Sequence, residues 1–484
     1  MNILYVVGSL SIVEPLGVMQ ISAMTRLQGH TSVLGVIAQD DLAEMIAKEH
    51  IDLVALSLLS TEAKEFLWAA QAIKARFPYL PVIAGGPHPT YFPQMIDSWP
   101  LDAIVIGEGD DVIGQLVEAL ARGDDFSHIP NVWTKTQKNS LTPLIAELDK
   151  LPFVDRELVR HRVPLRYIPM KSFMATRGCP YRCAYCFNDA YWRLYHGLGA
   201  MVRRRSVSHL IAEIKAVKSQ APLSFIRFGD DVFVAKHDEW LEEFVEQYAA
   251  QIGLPFYCLV RPNLVTQDIV GALKKAGCHS VAISLETGNE ALRKTVLNRA
   301  ISDEMILRAY TILREHDIRI FSNCMLGLPE SNLADDLQSL AMSFQCRPTY
   351  ASFTVFTPFP GTELYRWCLA KEYIQESFED GAYPESTFQS SCLKTVSEQD
   401  KNVHQNILML GALANWQPVF RNLIVNRLLY WKPNTLFALI GFVVRNYLQR
   451  KIWPFKLTPF SFLRLAVNVF LLDKKNYARR GIEH

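Results

Sequence analysis

The chain is 484 residues long, 49% apolar and 20% charged, with a formal net charge of +1. That length implies about three domains on the usual ~150-residue prior, and the absence of low-complexity tracts, heptad arrays and internal repeats excludes fibrous and repeat architectures. The near-zero charge hides an asymmetry: residues 401–484 hold 13 Lys/Arg against 2 Asp/Glu, so the acidic excess lies upstream.

Residues 1–125 alternate short β-rich runs with helix-length amphipathic segments. NILYVVG, TSVLGVIA, DLVALSLL, LPVIAGG and DAIVIGEGD read as strands; LGVMQISAMTRLQG, DLAEMIAKEH, TEAKEFLWAAQAIKARF, PTYFPQMIDSW and DVIGQLVEALARG read as helices. Five strands alternating with five helices imply a doubly wound parallel sheet. Ligands of such sheets bind beyond the carboxyl ends of the strands, and the small and polar residues gather there. Residues 126–168 contain an expected hairpin, NVWTKTQ with LTPLIAE, and then a proline-rich linker.

The run ATRGCPYRCAYCFND follows, with Cys179, Cys183 and Cys186 three and two residues apart. Thiols this close, in a chain read as cytoplasmic, point to a metal or cluster site rather than a disulfide framework. A zinc knuckle would need a fourth Cys or His, and His196 lies in a stretch without knuckle character. Iron–sulfur cubanes usually take four thiolates, so three leave one iron open. The other six cysteines, Cys258, Cys278, Cys324, Cys346, Cys368 and Cys392, lack ligand spacing and read as buried apolar thiols. Arg203, Arg204 and Arg205 form a short basic run, solvated or facing a phosphate rather than a nucleic-acid stripe.

From Lys171 a βα rhythm resumes, with six strands and their crossover helices, including one over 333–346. Functional residues of βα barrels sit at the carboxyl ends of strands. Those ends carry Gly229, Asp230 and Asp231, then Arg261, then Ser284 and Glu286, then Leu328. Past residue 376 the chain mixes cations with NTLFALIGFVV and FSFLRLAVNVFLL, neither reaching the ~20 apolar residues that span a bilayer. Such a segment suits either an interfacial amphipathic helix or a cap on the barrel.

The motif C-x3-C-x-aromatic-C resembles the signature of the radical S-adenosylmethionine (SAM) superfamily. The resemblance implies that Cys179, Cys183 and Cys186 ligate a [4Fe-4S] cluster whose free iron chelates SAM. It implies SAM contacts from Tyr185, Gly229, Asp230 or Asp231, Arg261, Ser284, Glu286 and Leu328, with no further catalytic residue assigned. GSLSIVEPLGVMQISA, LSLLS, AGGPHPTYFP and IGEGD together resemble the cobalamin-binding domain of cobalamin-dependent radical SAM enzymes. Carried over residue by residue, this implies cobalamin contacts from Pro15, Leu16, Gly17, Ser57, Leu58, Leu59, Ser60, Gly85, Gly86, His88, Gly107 and Glu108. The D-x-H-x-x-G loop that supplies a cobalt-ligating histidine is absent, so Leu59, Ser60 or Thr61 is expected near the lower face, and His88 is expected to bond the cofactor tail or its own backbone. Methylthiotransferases carry three cysteines in their N-terminal domain; residues 1–150 hold none.

The expected fold is therefore α/β: a five-stranded doubly wound cobalamin-binding domain (1–125), a linker with a β-ribbon (126–168), a partial (β/α)6 TIM barrel (169–375) and a helical, basic and apolar C-terminal region (376–484). The expected activity is C-methylation of a hydrophobic or lipid-like substrate through methylcobalamin. A non-methylating rearrangement or an oxidative cyclisation, as in anaerobic porphyrin-ester cyclases, is the alternative, and a non-catalytic Fe-S/cobalamin sensor the remote one. Expected partners are a small-molecule substrate, a one-electron reductant of flavodoxin or ferredoxin type and, through the C-terminal region, the membrane surface, with no nucleic acid.

Overall fold

The computed structural model describes residues 1–374 and 390–456. Strands β1 (Asn2–Val7), β2 (Thr31–Val36), β3 (Leu53–Ser57), β4 (Val82–Gly85) and β5 (Ala103–Val105) form a parallel sheet in the order 2-1-3-4-5. Their runs are apolar on both faces because helices cover both sides; β1 is buried from Ile3 to Val7. Helix starts are set locally, as at Asp41, whose carboxylate accepts from the N–H groups of Ala43 and Glu44. The expected helix PTYFPQMIDSW is split into Pro87–Tyr91 and Met95–Ser98, because Pro93 cannot donate the backbone bond that would continue the first.

The hairpin expected in 126–168 is shorter and turns earlier: Trp133 bridges antiparallel to Lys138, and the N–H of Asn131 donates to the Ser140 carbonyl. Val132–Trp133 (β6) also joins the first sheet, antiparallel to β5, while LTPLIAE contains no strand. Thr134 closes the turn that follows, its hydroxyl accepting from the N–H of Gln137. The sheet thus has six strands and runs past residue 125.

The second sheet is all parallel, in the order β14-β13-β12-β11-β10-β7, an open six-stranded barrel. Its strands are β7 (Met170–Phe173), β10 (Phe225–Phe228), β11 (Phe256–Leu259), β12 (Cys278–Glu286), β13 (Arg319–Leu326) and β14 (Tyr350–Val355). The pair β8 (Thr176–Arg177) and β9 (Arg203–Arg204) forms a small antiparallel ribbon flanking the cysteine loop. The helix expected over 333–346 spans Leu333–Cys346, started by a capping box between Asn332 and Asp335.

The C-terminal region closes the barrel. Helix Glu398–Trp416 buries Val403, Ile407, Leu410 and Ala414 in the barrel core. Helix Thr435–Ile452 ends beneath β12, where His279 and Ser280 meet the carbonyls of Lys451 and Ile452, and Trp453 packs on Tyr257 and Phe321. Of the two apolar runs, FSFLRLAVNVFLL lies outside the described residues. No helix among the described residues is long and apolar enough to cross a membrane.

Candidate functional site

Cys179, Cys183 and Cys186 lie on one loop between β8 and the helix Phe187–Leu194, with Cys186 at its N-cap. The loop is pinned on both sides: the N–H of Ala184 donates to the Leu297 carbonyl, and the Ala184 carbonyl accepts from Leu364. Behind it Asp189, fully buried, is bracketed by Arg182 and Arg193. Burial pushes the thiols of Cys179 and Cys186 up to about 11. Among the described residues no three His, Cys, Asp or Glu side chains converge on a single ion. Three thiols on one loop, with the other cysteines placed elsewhere, fit a multi-iron cluster, whose ligands reach different irons.

Three of the expected SAM contacts converge at this loop. The Tyr185 hydroxyl donates to Glu286 Oε1 at 2.6 Å, and Arg261 Nη1 reaches Cys183 Sγ at 3.1 Å while its guanidinium stacks 3.8 Å over Tyr181. Arg299 completes the group. It donates to the Ser284 carbonyl and lies 3.4 Å from both Glu286 Oε1 and the Tyr185 hydroxyl. Sequence reasoning passed over Arg299, because a cation after a short helix looks like any solvated side chain. Leu328 is buried in the apolar cluster that contains Ala184 and is lined by Tyr185.

The two aspartates separate. Asp230 is fully buried, and its Oδ1 accepts from the N–H groups of Ala175 and Thr176 and from the Thr176 hydroxyl. Burial pushes its carboxyl up to about 7, and Oδ2 has no protein partner. This makes Asp230 a brace for the β7–β8 corner, outside the residues that line the cavity. Asp231 faces a cavity instead; solvent reaches it there, although the surrounding protein still raises its pKa. Gly229 donates its N–H to Phe173 within the sheet.

That cavity, about 860 Å³, lies between the carboxyl ends of the two sheets. One wall is made by Pro15, Leu16, Gly17, Ser57, Leu59, Gly85, Gly86, Gly107 and Glu108, and the opposite wall includes Asp231 and Phe187 and Asn188, the two residues after Cys186. Such volumes accommodate sizeable ligands at domain boundaries. Leu59 is half exposed into it. No histidine of residues 1–125 lines it, which fits a cobalamin bound without a histidine from this domain; His209 reaches it from the barrel side.

Leu58, Ser60 and His88, expected at cobalamin, lie outside the residues that line the cavity. Leu58 is core; His88 is buried against Phe92 and Trp99, with Nδ1 3.2 Å from the Ser60 hydroxyl. Burial holds its pKa down at about 4, so the ring is neutral. Their position after strand ends was indistinguishable, in sequence, from that of the residues that do face the cavity. Nor is the arginine run solvated: Arg203 grips Glu108 through two 2.8 Å bonds, Arg204 pairs with Asp238 and Arg205 with Glu213. Glu108 is therefore a domain-joining residue whose carboxylate is already engaged, and Arg177 reinforces it while forking onto Asp110.

Comparison with known proteins follows the same division. Residues 4–117 match the B12 binding domain and residues 174–341 the radical SAM superfamily. The chain is 23% identical to an uncharacterized methyltransferase of Pyrococcus horikoshii, over 74% of this chain and 79% of that protein. It is 25% identical to an anaerobic magnesium-protoporphyrin IX monomethyl ester cyclase of Rubrivivax gelatinosus, over 73% of this chain and 66% of the cyclase. The structure of the cobalamin-dependent S-adenosylmethionine radical enzyme OxsB with aqua-cobalamin and S-adenosylmethionine bound superposes with a TM-score of 0.66, covering 97% of this chain and 75% of that one at 13% identity. At that identity the likeness establishes the fold.

Proposed function

With a B12-binding and a radical SAM domain in one chain, this protein is a cobalamin-dependent radical SAM enzyme, and we propose that it C-methylates an unactivated carbon of a hydrophobic substrate. When bound, the cluster and cobalamin supply, respectively, the electron for reductive SAM cleavage and the methyl group for transfer. Cys179, Cys183 and Cys186 hold the cluster in this reading. The observation that carries it is the cavity itself, which the residues following Cys186 share with the carboxyl-end loops of the first sheet.

The chain's own residues then have separable tasks. Arg261 and Arg299 place two guanidinium donors beside Cys183 and the Tyr185–Glu286 pair, where they orient the carboxylate end of SAM, while Glu286 and Asp231 are the carboxylates on hand to accept from its ammonium. Asp231 presents an acceptor from the barrel side. Leu59, Gly85 and Gly86 offer cobalamin an apolar, closely approaching surface that excludes water. The electron comes from a flavodoxin- or ferredoxin-type reductant.

Reconstituted enzyme incubated with methyl-labelled SAM, a strong reductant and total lipid extract tests the reaction. Labelled product with both S-adenosylhomocysteine and 5′-deoxyadenosine is the expected result. Deoxyadenosine without S-adenosylhomocysteine contradicts methylation and favours the cyclisation reading.

The preference for a lipid-like substrate rests on the C-terminal face. Val419, Phe420, Leu423, Leu436, Leu439, Phe442 and Val443 are all exposed, and residues 401–456 contain eight Lys/Arg and no Asp/Glu. Exposed apolar residues in a stretch whose only charges are cations complement an anionic bilayer surface. Flotation with phosphatidylglycerol vesicles, lost in the double variant Leu439→Glu/Phe442→Glu, is expected. Equal binding to neutral vesicles, no binding at low salt, or self-association through this face contradicts it.

A further inference from the structure

A buried histidine–aspartate pair lies outside the site described above. His404, on helix Glu398–Trp416, holds Asp336 Oδ2 at 2.7 Å through Nε2, and both side chains are almost wholly buried. The other oxygen, Asp336 Oδ1, accepts from the N–H of Gly327 at 3.0 Å. Gly327 is the first residue past β13, and the turn it opens is closed by Ser331, whose N–H and hydroxyl both donate to the Leu328 carbonyl.

From this geometry we infer that His404 and Asp336 are positioning residues for SAM: the pair holds the Gly327–Leu328–Pro329 turn so that Leu328 presses on the cluster loop. The inference rests on the proposed contact of Leu328 with SAM.

Three observations support a role beyond fastening a helix. First, the helix is already docked by Val403, Ile407, Leu410 and Ala414, all in the barrel core, and a polar pair added to an apolar interface carries a desolvation cost. Second, the contact continues beyond Asp336 to the turn. Gly327 has φ +64°, and a Cβ there would lie 3.1 Å from His404 Cε1, so the imidazole packs against the Gly327 backbone as well as binding its N–H through Asp336. His404 Nδ1 has no protein partner; the ring is anchored by its single bond to Asp336. Third, Leu328 shares its apolar cluster with Ala184, between Cys183 and Cys186, and with Tyr185. A shift of the turn is therefore felt at the loop that carries the thiols.

Full-length reconstituted enzyme tests this through the KM for SAM, the maximal rate of SAM cleavage, the iron content and the melting temperature. His404→Leu is expected to raise the KM about tenfold, as for loss of a hydrogen bond to a charged group, with maximal rate and iron content near wild type. His404→Gln, whose amide N–H can reach the same carboxylate, is expected to recover most of that loss. An unchanged KM in His404→Leu overturns the inference. So does a parallel fall of melting temperature, iron and rate in both variants, which marks a merely structural pair. Leu328→Ala separates the premise: an unchanged KM there defeats the SAM contact of the turn, whereas a raised KM with a silent His404→Leu defeats only the latch.

Discussion

The two strand-end rims of the molecule differ in chemistry. At the barrel's strand ends the groups are charged side chains already tied to one another, Tyr185, Glu286 and Arg299 in one knot, Arg261 against Cys183 and Asp230 bracing the corner, with Asp231 the one of these acids that reaches the cavity. On the first-sheet side the wall is mostly backbone and apolar surface, with Gly85, Gly86, Gly107 and the exposed Leu59; of its acids, Glu108 and Asp110 are engaged with arginines and Glu62 accepts from the Ser9 hydroxyl. The contrast suits two kinds of ligand. A small zwitterion is gripped by fixed charges, while a large, flat macrocycle is accommodated by shape and close backbone approach.

The largest expected effect separates the rims outright. Cys183→Ala is expected to reduce SAM cleavage to background and remove the cluster absorbance, while cobalamin binding stays at wild-type level; joint loss of both would show that the rims are not independent. Next comes Arg299→Met, which strands the buried Glu286 carboxylate. Breaking one side of a buried ion pair costs about 3–5 kcal/mol, read as a lower denaturation midpoint, and Glu286→Gln in the same background should recover part of it.

Acid distinguishes the two halves by sign. His88 has a folded pKa of about 4 against an ordinary value of 6.5. Its contribution is present above pH 6.5 and is lost as pH falls from 6.5 to 4, by up to ~3 kcal/mol at 1.36 kcal/mol per unit. Asp230 acts the other way. With its carboxyl raised from 3.8 to about 7, it favours the fold below pH 3.8 and loses that advantage as pH rises toward 7. Denaturation curves across pH should show the His88 slope vanish in His88→Phe and the Asp230 slope vanish in Asp230→Asn.

The smallest effect concerns the joint between the halves. Gly107 has φ +74°, and a Cβ there would meet the Tyr195 hydroxyl at 2.0 Å, the same hydroxyl that accepts from the Glu108 N–H. Gly107→Ala is expected to cost about 2 kcal/mol and to weaken cobalamin binding while leaving iron content unchanged, by melting and titration respectively.

Much of this was legible in the sequence, for particular reasons. Both sheets announced themselves through apolar runs spaced by amphipathic helices, and the thiol loop through spacing alone. The helix over 333–346 carries its own capping box, so its start was local information. What was not legible depended on long-range packing. β6 pairs with β5 because of where the chain turns at Thr134, and His88 faces the core because Phe92 and Trp99 close over it. Arg299 and His404 become informative only when strand ends and a C-terminal helix bring them against Glu286 and Asp336.

The contrast between the rims is tested most directly by electron paramagnetic resonance of cob(II)alamin bound to the full-length protein. A cavity wall made by Leu59 and glycine backbone, with no histidine of the first domain on it, predicts a cobalt spectrum without hyperfine splitting from a protein nitrogen. A nitrogen triplet, assigned to an imidazole by its loss on substituting a histidine, would contradict it.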